Sequence, residues 1–126
     1  MKIIIEKVNQ KPNHSVTKND VRIVIKHVPA NWIGVAHVFK ISSQFFDNSQ
    51  WDRPVIENNT TFIIMSRGFE RNYIIKELLI EMALFPSGIY GTRAHHLNNI
   101  KRKKLEEIVH PLFVRIIEEL NKLNIK

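Results

Sequence analysis

Two carboxylates interrupt the apolar stretch YIIKELLIEMALF, residues 73–85, and on the second, Glu81, acid–base chemistry would turn. At about 100° per residue, positions 77, 80, 81 and 84 share one helix face, which reads Glu77, Ile80, Glu81, Leu84. The plain alternative is a core helix whose acids pair with Lys or Arg. His95 and His96 form a second candidate. Adjacent side chains on extended backbone point to opposite sides, so at most one of these rings enters a cleft, and two further metal ligands are then missing. No metal and no cofactor is expected. The densest basic run, Lys101, Arg102, Lys103 and Lys104, sits near the start of a helix, where cations oppose the macrodipole; with Arg93 it is a candidate phosphate patch. The glycines fit neither a P-loop nor a dinucleotide fingerprint, and without cysteine there is no thiolate nucleophile or zinc thiolate.

These residues belong to a chain of 126 residues with formal net charge +7 and a sequence pI near 9.9. The length suits one domain, residues 1–126, whose core needs no disulfide or metal to fold. The positive balance favours acidic partners such as nucleic acid. The apolar run before Glu6 is only three isoleucines, too short for a signal-peptide core, and no stretch approaches a bilayer span. The expectation is a cytoplasmic protein without membrane contact.

The elements that must position the candidates follow from pattern. KIIIEKV reads as a strand, closed by the loop NQKPNHS. Thr17, three residues before Asp20, resembles a capping signal; Val21, Val24, Ile25 and Val28 recur at helical spacing until Pro29 ends the helix. WIGVAHVFKIS and TTFIIMS read as strands. Residues 42–59 between them read as irregular, turn-rich chain around Phe45, Phe46 and Trp51. The helix from Asn72 is apolar nearly all round and so central, with Pro86 and Gly88 ending it. From Leu97 the rhythm of Ile100, Leu105, Val109, Leu112, Ile116 and Leu120 predicts a long amphipathic helix, kinked or broken at His110-Pro111. The fold class is α+β: a short mixed or antiparallel sheet packed against a buried central helix, plus a long C-terminal helix.

FIIMSRGFERNYIIKELLIEMALF resembles the strand, turn and active-site helix of small single-domain zincin-like metallopeptidases, and VRIVIKHVPANWIGVAHVFKI resembles their opening helix and following strand. The resemblance implies a zincin-like domain. It places Glu81 on the family's general-base position and Ile80 and Leu84 on the positions of the two zinc-binding histidines. The motif, Ile80-Glu81-Met82-Ala83-Leu84, is therefore degenerate: neither flanking residue binds a metal, and no ion is held to acidify a water. The resemblance implies a catalytically inactive binding or regulatory module that holds a protein segment. Glu77, Ile80 and Leu84 would line the old cleft, residues 60–65 would form an edge strand that pairs with an extended peptide, and His95 or His96 would lie about where some relatives bring a third ligand. Two other functions stay open: a basic nucleic-acid-associated protein using Arg93, Lys101, Arg102, Lys103 and Lys104, and a hydrolase with an atypical site around Glu81, His95 and His96.

Overall fold

A computed structural model describes residues 2–33, 36–84 and 99–124. Strand β1 (Lys2–Ile5) leads through a loop to helix α1 (Lys18–His27), a single 3-10 turn (Ala30–Trp32) and strand β2 (Val38–Ile41). Strands β3 (Val55–Asn58) and β4 (Thr61–Ile64), helix α2 (Arg71–Ala83) and helix α3 (Asn99–Asn124) follow. The fold is α+β, with one mixed sheet in the order β1-β2-β4-β3. β1, β2 and β4 run parallel; β3 alone is antiparallel, at the edge beside β4.

Each element has a local cause. Thr17 caps α1: its hydroxyl accepts the Asp20 N–H at 3.1 Å, and the Asp20 carboxylate accepts the Thr17 N–H at 2.8 Å. Val28, before Pro29, turns to extended backbone and ends the helix. Between β3 and β4, Asn59 and Thr60 both take positive φ, 51° and 65°, which makes a two-residue hairpin of the twist that suits paired strands. That conformation is unfavourable for a β-branched residue. Here it is held by the Thr60 carbonyl, which accepts the His37 N–H at 2.8 Å and so ties the hairpin to the start of β2.

The helices cover one face of the sheet. Phe39, Ile41, Val55, Phe62 and Ile64 alternate inward and join the core formed by the helices, with Phe39 stacked on Phe62 at 5.0 Å between centroids. α2 lies at the centre, against α1, α3 and β3, and every residue from 77 to 84 is buried. α3 closes the layer with Leu105, Val109, Leu112, Ile116 and Leu120.

Three sequence expectations are corrected. The segment 42–59 is not wholly irregular, because β3 lies within it. Residues 60–65 do not form a sheet edge: β4 is flanked by β2 and β3. Nor does α3 break at Pro111; it is one helix through residue 124. Proline removes the donor that would reach the carbonyl of Glu107, but Glu107 and Pro111 both lie on the solvent side, where water can serve that carbonyl.

The helix tolerates Pro111 rather than needing it. Pro111→Ala should restore the missing bond and raise the stability by about 1–3 kcal/mol. Denaturant unfolding measures this, and an unchanged or lowered midpoint would show that Pro111 has a structural use.

Candidate functional site

Glu81 projects from α2 toward β3 and is 5% exposed. Its partner is Arg53, two residues before β3 and 3% exposed. One carboxylate oxygen accepts from Arg53 Nη2 at 2.6 Å and from Nε at 3.0 Å; the other accepts the Glu57 N–H at 3.3 Å. Nη1 of the guanidinium reaches the half-exposed Asp52 at 3.5 Å. Both carboxylate oxygens are thus committed.

The Glu57 bond has a particular meaning. In a two-residue hairpin the pair next to the turn, here Asn58 and Thr61, exchanges hydrogen bonds, and bonded pairs then alternate. The Met65 N–H donates to the Pro54 carbonyl at 2.9 Å, in phase with that alternation. Glu57 falls on an unbonded position, so its N–H points away from β4, out of the sheet. Glu81 therefore fills a donor position that an added strand would otherwise use.

Two opposed effects set the protonation of Glu81. Burial raises its carboxyl, and the nearby Glu57 carboxylate adds to the rise; the Arg53 charge, the Arg53 hydrogen bonds and the Glu57 N–H pull it down, and the balance lies above the ordinary 4.5, at about 7. The folded value lies above the unfolded one, so the contribution of Glu81 to stability is fully present below pH 4.5 and falls away as pH rises through about 7.

Glu77, one turn earlier on the same face, meets a different neighbour. It is 2% exposed and is held by both terminal nitrogens of Arg102 from α3. Arg102 also reaches Glu106 at 3.3 Å, and Lys76 meets Glu106 at 3.0 Å. The rest of the face is apolar and closed: Ile80 is fully buried and Leu84 7% exposed. Among the described residues, no group of three or more His, Asp or Glu is placed to hold a metal ion.

The basic run is divided by this packing. Arg102 is spent on Glu77, and only Lys103 and Lys104 of residues 101–104 are exposed. Arg93, His95 and His96, with the loop at 86–93, lie outside the described residues. An open groove of about 640 Å³ beside α3 is lined by Lys76, Lys103, Glu106, Glu107, His110 and Phe113, among others. Its lysines and glutamates balance, so it holds no excess positive charge for phosphate. Among the described residues no helix is long and apolar enough to cross a membrane.

Sequence reasoning missed Arg53. Its one available signal was the need of Glu81, on an apolar helix, for a counter-charge, but turn-rich SQWDRP does not announce a buried arginine. Compared with known protein families, with curated proteins and with solved structures, the chain matches none.

The two partners should respond differently to loss of the other. Arg53 cannot shed its proton, so Glu81→Leu strands a buried charge and should cost about 3–5 kcal/mol near pH 5, and less as pH rises through about 7, where the wild type itself loses the contribution of Glu81. Glu81 can take up a proton, so Arg53→Met should cost little near pH 5. Its cost should grow above pH 7, because loss of the guanidinium raises the carboxyl still further and extends the alkaline fall in stability. Chemical denaturation between pH 5 and 9 measures both, and parallel pH profiles for the two variants would refute the tie.

Proposed function

We propose that this chain is a catalytically inactive, zincin-like protein that acts by holding a protein segment rather than cutting one. The observation that carries the reading is the position of Glu81. Hydrolysis on the resembled scaffold needs that carboxylate beside a metal-bound water, between two imidazoles. In this chain it is buried between a guanidinium and a backbone N–H, and the flanking positions are Ile80 and Leu84 of the core. A carboxylate so bound has become a structural tie.

Extended protein segments are held at sheet edges, where backbone groups are free to pair. β4 is interior, and β3 has its Glu57 N–H already occupied. The remaining edge, β1, is the surface that suits such a segment. The nucleic-acid reading is weaker, since Arg102 of the basic run is engaged with Glu77 and the groove beside α3 is balanced in charge. The atypical-hydrolase reading rests on Glu81, whose oxygens are both in use.

The purified protein is expected to carry no stoichiometric zinc, and its melting temperature should be the same in chelator as in added zinc, because the native state gains nothing from the ion. Elemental analysis and thermal melts test this. Zinc near one per chain, or a melting temperature that falls in chelator, would overturn the inactive reading.

A further inference from the structure

The two edges of the sheet are managed differently. β3 has an outward donor taken by Glu81. Among the described residues, β1 has no such cover. The Lys2 N–H donates to the carbonyl of His37, just before β2, at 3.0 Å, and the Glu6 N–H, just after β1, to that of Ile41 at 2.9 Å, so the even-numbered residues along this edge bond inward. The N–H and C=O of Ile3 and Ile5 then face away from the sheet. The side chains there are isoleucines, with Ile5 38% exposed. A β-branched run on an open edge is a template for another strand.

We propose that the occupant is a second copy of this chain, with the two Lys2–Ile5 strands antiparallel across a two-fold axis through Ile4. The sequence KIIIEK is nearly its own complement in this arrangement. With Ile4 opposite Ile4, Ile3 of each chain faces Ile5 of the other, and these outward-facing residues exchange four backbone hydrogen bonds. Lys2 of each chain then stands opposite Glu6 of the other, at a pair without backbone bonds, where side chains approach most closely. Glu6 is held beside this position by the Ser43 backbone N–H and hydroxyl, which donate to one of its oxygens at 2.8 and 3.2 Å.

The neighbouring registers lose this match. Moving the axis to Ile3 sets Lys2 against Ile4, and moving it to Ile5 sets Glu6 against Ile4 and Lys7 against Ile3. Shifts by a single residue put inward-bonding groups at the interface. Hydrogen-bond parity and charge complementarity select one register, and the eight strands become one continuous sheet. A pairing so short gives a dimer that dissociates on dilution.

This inference takes the edge-binding reading further and rests on it, but fails separately from the inactive reading, which turns on zinc. Sedimentation of the full chain over a concentration series should show a monomer–dimer equilibrium. Ile5→Pro removes an N–H that β2 does not use, so it should weaken the dimer by more than about tenfold while leaving the secondary structure intact. Lys2→Glu, at an exposed residue, sets carboxylate against carboxylate and should weaken it independently of any effect on folding. The chain has no cysteine, so Ile4→Cys supplies one thiol, which should cross-link two copies on mild oxidation because it lies on the axis. A monomer at every concentration, a dimer that survives both Ile5→Pro and Lys2→Glu, or Ile4→Cys that stays uncross-linked would each overturn the proposal.

Discussion

The contact between Arg53 and Glu81 joins pieces of the chain that nothing local would bring together. Arg53 ends a turn-rich segment of low β propensity, and Glu81 sits in the most apolar helix of the molecule. Each charge would be costly to bury alone, and each is tolerable only through the other. Their pairing fixes how far α2 lies from β3. Because the second oxygen of Glu81 takes the Glu57 N–H, the same carboxylate also closes part of the antiparallel edge. One side chain thereby sets the helix-to-sheet packing and limits what the edge can accept.

α2 applies the same device one turn earlier. Glu77 meets Arg102 of α3, so the central helix is held by a buried acid toward the sheet edge and another toward the long helix. Apolar packing supplies most of the cohesion, since Ile74, Ile75, Leu78, Leu79, Ile80 and Met82 are all essentially inaccessible. Greasy surfaces, though, can slide by a turn at modest cost. Two ion pairs one turn apart, pointing to different neighbours, supply direction and register. This division of labour explains why the acids persist on a helix that is otherwise core, and it draws both of them away from any role at solvent.

The amphipathic or fully apolar helices were legible in the sequence because their signals are periodic and local. The Thr17 and Asp20 capping box, Pro29 as a stop, and the burial of 77–84 all depend on residues within a turn or two of each other. β3 was not legible: VIEN is short, begins after a proline and carries a charge. Its hairpin uses Asn59 and Thr60, a pair without the glycine that marks such turns, made tolerable by a long-range bond to His37. The edge assignment failed for the same reason, since an unseen β3 left β4 looking outermost. The alternative of acids paired with Lys or Arg was visible in outline. Which basic residues would do it was not, because Arg53 and Arg102 are chosen by tertiary approach across 28 and 25 residues. Pro111 misled because a helix interrupted on its wet side loses one bond without losing its course.

The central claim is that Glu81 is a structural residue, bound to Arg53. A double-mutant cycle at pH 8 with Arg53→Met, Glu81→Leu and the two combined tests it most directly. If the pair is a buried unit, the combined variant should be more stable than Glu81→Leu alone, since the stranded guanidinium is gone, with a coupling on the order of 2–3 kcal/mol. If instead the two losses simply add, the side chains act independently, and Glu81 is free for another role.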